Sequence, residues 1–491
     1  MRSLILFFKD LRLDDNPALN AACRADAVLP VYLYRCGQRP GAQAQDVILR
    51  QQLRRLKSEL QQQQLDLYVL EGRLIETVKQ LVLKHRIQKI CWSWCYEKDL
   101  YAQQLKLFEW AQQQGLELVC EHSFLMLAPA SVLNGQGEYY KVFTSFYKKF
   151  CLQKLRRPEA FDRSHAKLIA LEPEISPARL YELDAQAEPK WAGAILQRWC
   201  HGPSSEQLAY EFLKKRLNAY QHSRDQIDDN CGSQLSVALA LGLLSPIRLW
   251  HDCLSMAAEQ EQHAFLRQLV WREFNWNLLF QLPELPQANF KSSFDLFPYQ
   301  NDNALVERWQ RGQSGYPLID AAMRQLWQEA WMPNRARMLV ASFLCKHLMQ
   351  DWRAGEAWFW HCLADADLAN NVCGWQWTAG CGADAAPYFR IFNPISQGQK
   401  FDAEACYIKR WLPELSALPS RYCHEPWAAP SSALKQAGVV LGQNYPQAIV
   451  DHKQARQRAL DAWHQRHSRE QAPTSASPAQ QSFVLGPVNT N

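Results

Sequence analysis

A parallel α/β domain followed by an all-α domain is the fold class this sequence predicts. Three observations carry it: five short apolar runs alternate with helical stretches near the N-terminus, strand signals vanish after about residue 201, and helical apolar periodicity then continues with a concentration of Trp. The expected division is an α/β domain at 1–130, an inter-domain linker at 131–200, a helical domain at 201–465 and a disordered tail at 466–491.

The apolar runs are LILFF (4–8), AVLPVYLY (27–34), LDLYVLEG (65–72), IQKICWSW (87–94) and LELVCEH (116–122). Helical stretches such as Asp46 to Gln61 and Lys98 to Gln114 separate them, so the strands pair in parallel beneath helices on both faces. The topology is Rossmann-like, yet no GxGxxG follows the first strand, which excludes a dinucleotide site of that kind. From 131 to 200 the pattern loosens into Pro-containing, mixed-charge sequence. YYKVFTSFYKKFCLQKLRRP at 139–158 carries six basic residues and no acidic ones, and reads as a solvated helix face rather than a nucleic-acid patch. The last segment is rich in Ser, Ala, Pro and Gln, too poor in apolar residues to fold.

With 491 residues, 47% apolar and 12% aromatic, the chain can bury large cores. The excess of Lys and Arg over Asp and Glu is 54 − 49 = 5, so contact with nucleic acid requires a local patch. Fifteen Cys lack CxxC pairs or Cys/His metal spacing and read as reduced thiols of a cytoplasmic protein. Leu4 to Phe8 is too short for a signal-peptide core, and no membrane span is expected.

The stretch 312–412 sets charged and amide residues among apolar ones. On one helix Asn334, Arg337 and Met338 share a face, and Asp367, Asn371 and Trp375 form a second stripe at four-residue spacing. Burying Arg337, Asp365 and Asp367 singly is costly, so the Arg pairs with one carboxylate, either over a polar ligand or as a structural ion pair. CGSQLSVALALGLLSP at 231–246 suits a phosphate held by backbone N–H groups at a helix start.

GYPLIDAAMR, WMPNRARMLVASFL, DWRAGE, DADLANN, GWQW and GADAAPYFRIFNPISQGQKFD resemble the flavin-binding half of the photolyase and cryptochrome family. WREFNWNLLF (271–280) and FFKDLRLDDNPAL (7–19) resemble its other signatures, so the likeness spans about residues 1 to 430. The resemblance implies FAD, with its diphosphate at Gly232, Ser233, Gln234, Leu235 and Ser236 beside Tyr220. Gly232 stands where the family's photolyases usually carry Thr. It further implies that Asn371 faces flavin N5, Arg337 pairs with Asp365, Asp367 lies near the isoalloxazine edge, and Asn334 touches flavin and substrate. Plant cryptochromes carry Asp at the position of Asn371, so the amide leans toward repair. Trp271 matches the platform for a flipped-out pyrimidine dimer and Met338 the Met beneath it. Arg224, Arg272, Arg335 and Gln397 match DNA-contacting positions.

Three departures qualify the resemblance. Gln268 replaces a dimer-bonding Glu and cannot supply a proton. Pro333 replaces a His, which argues against (6-4) chemistry. In the electron-transfer chain Trp375 and Trp352 are kept, but Tyr299 stands at the terminal Trp. The folate-binding His and Glu of one branch do not recur, Leu100 standing at the Glu position, so folate is not expected; a deazaflavin, another flavin or no antenna all fit. The resulting expectation is a monomer that binds damaged DNA and repairs cyclobutane pyrimidine dimers by electron transfer from excited reduced FAD. The alternative is a cryptochrome-like photoreceptor without repair. A flavin reductase would need a nicotinamide site that the sequence does not supply.

Overall fold

The computed structural model describes residues 1–491 except 38, 172–177, 184, 186, 228–231, 257–258, 386–388 and 471–491. Each apolar run becomes a strand: β1 (Arg2–Phe7), β2 (Ala27–Leu33), β3 (Tyr68–Glu71), β4 (Lys89–Ser93) and β5 (Glu117–Glu121). They pair in parallel in the order β5-β4-β1-β2-β3, with Ile5 at the centre between Pro30 and Cys91. Ile5, Leu29, Cys91 and Trp92 are fully buried, as a sheet covered on both faces requires. The intervening helices are α1 (Pro17–Cys23), α2 (Gln43–Gln62), α3 (Leu74–His85) and α4 (Lys98–Gln113). Asn16 caps α1, its Oδ1 accepting from the Leu19 N–H at 3.1 Å, and Pro17 supplies a preset first turn.

The expected loose connection is in part ordered structure. Its opening forms α5 (Phe143–Cys151), with Phe143, Phe146 and Phe150 buried and Lys148 and Lys149 exposed, the solvated face that the sequence suggests. Further on, β6 (Lys167–Leu168) pairs with the start of β2, which the short β3 leaves open, and β7 (Arg179–Leu180) runs antiparallel to β3. Two-residue strands are too short to leave a period in sequence.

The helical domain contributes to the site α6 (Ser236–Leu241), α7 (Glu259–Gln281), α8 (Asn334–Ser342), α9 (Trp352–Cys362) and α10 (Leu368–Ala379). It docks on the sheet domain through buried polar contacts. Arg12 is 5% exposed and donates to three carbonyls, those of Gly242 (2.9 Å), Asp15 (2.9 Å) and Ser123 (2.8 Å). Gly242 ends α6 at φ +70°, and a Cβ there would lie 1.9 Å from the Lys9 carbonyl oxygen, so only Gly admits this approach. The FFKDLRLDDNPAL motif is therefore in large part interface.

Residue 466, the expected start of the tail, lies within a helix. This is helix His452–Glu470, and buried Arg466 donates to Ser293 Oγ at 2.8 Å and lies over the Phe294 ring. Residues 471–491 of the expected disordered tail lie outside the described residues. The described cysteines are free thiols, and among the described residues no helix is long and apolar enough to cross a membrane.

His347 follows α8 in a π-helical turn, fully buried, with Nε2 2.9 Å from His452 Nδ1. Burial, with the cations of Lys346 and Arg458 nearby, depresses its pKa from 6.5 to about 3. The folded chain thus holds His347 neutral where the unfolded chain takes up a proton. That contribution to stability is complete above pH 6.5 and declines as pH falls toward about 3. Chemical unfolding between pH 7 and 4 should show this loss, with a shallower slope in His347→Gln; equal slopes would exclude His347 as its source.

Candidate functional site

A cavity of about 570 Å³ opens among α6 to α10, a volume suited to a large organic ligand. Its walls are built outward from α10. Asp367 caps that helix: Oδ1 accepts from the Asn370 N–H at 2.9 Å and from Asn370 Nδ2 at 2.7 Å, and Oδ2 accepts from Trp276 Nε1 on α7 at 3.0 Å. This fixes the rotation of α10, so Asn371 and Trp375, one turn apart, both face the cavity. Trp375 packs edge-on to Phe359 at 4.9 Å and lies flush against Gly355 of α9, where a Cβ would sit 2.1 Å from its ring.

The Asn371 amide is oriented by its partners. Nδ2 donates to the Glu356 carbonyl oxygen and to Glu356 Oε1, both at 2.9 Å, which uses both of its hydrogens. Oδ1 is buried at the cavity wall and has no partner, and the same holds for Trp375 Nε1. On the opposite side Arg337 grips Asp365 bidentately, Nη1 to Oδ1 at 3.1 Å and Nη2 to Oδ2 at 2.9 Å, while its Nε donates to the Met332 carbonyl. Of the two carboxylates the sequence left open, Asp365 is the partner.

At the other end Ser233 and Ser236 line the cavity with Tyr220 and Arg224. Gln234 turns the chain at φ +61°, and Ser233 Oγ accepts from the Leu235 N–H at 3.4 Å before α6 begins. Burial raises the Tyr220 phenol above its ordinary pKa, and the Arg224 guanidinium lies 5.7 Å over its ring. The Gly232 carbonyl is taken by Arg216 at 3.0 Å. The side chains of Gln234 and Leu235 do not line the cavity; Leu235 is 1% exposed in the core, so it offers a ligand backbone only.

Gln268, Trp271, Asn334 and Met338 line the same cavity. Gln268 Nε2 bonds back to the Ala264 carbonyl at 3.4 Å, and Asn334 Nδ2 lies 3.8 Å from Met338 Sδ. Phe143 of α5 stacks on Trp271 with ring centres 3.7 Å apart and a 4° tilt, which seals one face of the indole. Arg267 lies over Phe143 at 4.6 Å.

Of the expected groove residues, Arg272 lies in the cavity lining, and Arg335 and Gln397 lie outside it. Arg272 is buried in that lining, bonded to Glu273 at 3.2 Å and 4.2 Å over Phe124. Arg335 pairs with Asp225 at 2.9 Å and covers Phe401, so its charge is already used. Gln397, on helix Pro394–Phe401, is outside the cavity lining, with a buried Oε1 that has no partner. Trp352 is fully buried at the start of α9 and donates to Asn289 Oδ1 at 2.8 Å. Tyr299 packs on Phe297 at 4.8 Å, and burial raises its phenol well above 10, with Asp351 and Arg353 among the charges it feels.

Glu356, Trp276, Phe143 and Arg39 are the site residues that sequence reasoning missed. Glu356 sits in the DWRAGE segment and Trp276 in WREFNWNLLF, both singled out as motifs; their roles depend on partners far along the chain.

A helical domain with a deep polar and aromatic cavity, docked on a parallel α/β domain, defines a two-domain protein built around a site for a large organic ligand. The comparisons make this specific. Residues 265–465 match the family model of the FAD binding domain of DNA photolyase, and residues 3–164 match that of DNA photolyase. The chain is 38% identical over 467 residues to a deoxyribodipyrimidine photo-lyase of Agrobacterium fabrum, covering 94% of this chain and 97% of that one. It is also 31% identical to Cryptochrome-2 of Arabidopsis thaliana, over 93% of this chain and 78% of that one. The crystal structure of a bacterial class III photolyase from Agrobacterium tumefaciens superposes with a TM-score of 0.88 at 37% identity, covering 95% and 98% of the two chains. This chain belongs to the DNA photolyase and cryptochrome family.

The cavity fits the FAD this domain type binds: two buried polar atoms await partners, the walls are largely apolar, and the charged pair is closed on itself. Arg337→Ala or Asp365→Ala leaves one buried charge without its partner, a cost of about 3 to 5 kcal/mol. Purified variants should carry far less flavin than the parent, read from the absorbance ratio of flavin to protein. Full flavin content in both would remove the pair from the cradle.

Proposed function

We propose that this chain is a light-driven photolyase that repairs cyclobutane pyrimidine dimers in DNA. The supporting observation is that one cavity joins the flavin-type cradle of Arg337, Asp365 and Asn371 to an aromatic and amide mouth of Trp271, Gln268, Asn334 and Met338. Bound FAD in its reduced form supplies the excited-state electron that opens the dimer. The chain's own residues do the rest. Tyr220, Ser233, Ser236, Arg337 and Asp365 hold the cofactor, and the Asn371 oxygen accepts a hydrogen bond at the flavin face of the cavity. Trp271 offers its free face to a base, backed by Phe143, with Asn334 and Met338 beside it at the mouth. Gln268 orients the substrate by hydrogen bonds and leaves the proton inventory unchanged.

DNA is met at the cavity by Arg224, while the charges of Arg272 and Arg335 are engaged in ion pairs within the fold. The electron that resets the cofactor travels through Trp375 and Trp352 toward Tyr299. Gly355 supports this route: it lies one turn from Trp352 on α9 and lets the Trp375 ring lie against the helix. Because its buried phenol keeps its proton, Tyr299 passes charge on only when that proton leaves. The similarity to a plant cryptochrome, with Gln268, Pro333 and Tyr299, favours photoreception as the second reading.

Repair by the chemically reduced protein, with flavin confirmed bound, separates the two. Light-dependent loss of dimers from single- and double-stranded substrates is expected; none on either substrate would leave the photoreceptor reading. Trp271→Ala should weaken binding to dimer-containing DNA by roughly 1 to 3 kcal/mol per stacked base and affect undamaged DNA less. Gln268→Glu should hold or raise the repair yield.

Trp352→Phe and Trp375→Phe should keep the fold and slow flavin photoreduction with an external reductant. Parent rates in both would mean that the electron takes another path.

A further inference from the structure

One side chain of the α/β domain is linked to the cavity wall through a buried carboxylate. Arg39, in the loop after β2, pairs bidentately with Glu356 of α9, Nη1 to Oε1 at 2.6 Å and Nη2 to Oε2 at 2.8 Å. The carboxylate is 3% exposed, and the guanidinium lies 4.9 Å over the Trp360 ring. Glu356 Oε1 is also an acceptor for Asn371 Nδ2. A chain of contacts therefore runs from the first domain to the amide whose free oxygen faces the cavity.

The chemistry of Glu356 decides which way that amide points. As a carboxylate it only accepts, and beside its own backbone carbonyl it presents two acceptors, so the amide turns its NH2 toward them and its oxygen toward the cavity. As a neutral acid it carries an O–H donor, which an amide oxygen satisfies, and the amide turns over. The fork from Arg39 holds both oxygens of that buried carboxylate, so neither is free to turn away from the amide.

Resting on the reading of the cavity as a flavin site, we propose that Arg39 is a positioning residue for the cofactor. By fixing Glu356 in place with both oxygens gripped, it makes Asn371 offer its carbonyl oxygen, and so favours the reduced isoalloxazine, which bears a hydrogen on N5, over the oxidised ring, which does not. The redox preference of the helical domain is set across the domain interface.

The test compares Arg39→Ala, Arg39→Lys, Glu356→Gln and the double variant Arg39→Ala with Glu356→Gln, each purified with flavin. Arg39→Ala should keep stoichiometric flavin, since Arg337 and Asp365 are untouched, and shift the flavin reduction equilibrium toward the oxidised form by about tenfold, about 30 mV for a two-electron couple. Arg39→Lys, a point charge without the fork, should fall between. In the Glu356→Gln background the Arg39→Ala change should have little further effect, because a neutral amide at 356 needs no cation. Isotope-edited infrared spectra of labelled asparagine should show the Asn371 carbonyl band move in Arg39→Ala.

Trp360→Phe separates positioning from domain docking, since it removes the 2.9 Å bond from Trp360 Nε1 to the Pro40 carbonyl in the same contact and leaves Glu356 alone. It should lower the melting temperature of the flavin-free chain and leave the reduction equilibrium in place. An unchanged equilibrium and carbonyl band in flavin-loaded Arg39→Ala would overturn the proposal. So would an equal redox shift in Trp360→Phe, or loss of flavin from both Arg39 variants. Failure of the parent to bind flavin would instead overturn the reading of the cavity.

Discussion

The rotation of α10 is the constraint on which the site depends. A helix presenting two residues four apart to a cavity loses both if it turns by one position, since each position is about 100° of rotation. Asp367 prevents this with bonds to its own helix and to Trp276 on α7, joining cap and crossing helix in one side chain. Gly355 then lets α9 approach until its carbonyl at Glu356 meets the Asn371 amide. Each element is held by a polar contact that has a single geometric solution, so the cavity is shaped before any ligand arrives.

Burial of charge is the second theme, and each case has its compensation. Asp365 and Arg337 form a closed fork, and Arg39 and Glu356 another. Arg12 spends its guanidinium on three carbonyls at the domain interface. Such arrangements contribute little net stability against apolar replacements but are strongly destabilised by loss of one partner, which suits positions that must not drift. Within the cavity lining, Asn371 Oδ1 and Trp375 Nε1 are buried without a partner.

Two of the arginines singled out in sequence have partners within the fold. Arg272 lines the cavity and Arg335 lies outside its lining, and both guanidiniums meet aromatic rings and carboxylates. The basic, aromatic segment at α5 behaves otherwise: its Phe residues are buried, Phe143 backs Trp271, and its lysines stay in water.

The sequence by itself determined the five main strands, the change to helix after residue 201, the shared face of Asn371 and Trp375 and the pairing demand of Arg337. These follow from local periodicity and from the cost of burying charge, both of which act along a single stretch of chain. The pairing of Arg337 with Asp365, open on spacing and implied by the family resemblance, is present in the fold; tertiary structure alone decided that β6 and β7 complete the sheet, and that Arg39 meets Glu356 across 317 positions. Those outcomes depend on which distant groups are brought within about 3 Å of one another, a distance at which hydrogen bonds form and which sequence spacing does not encode.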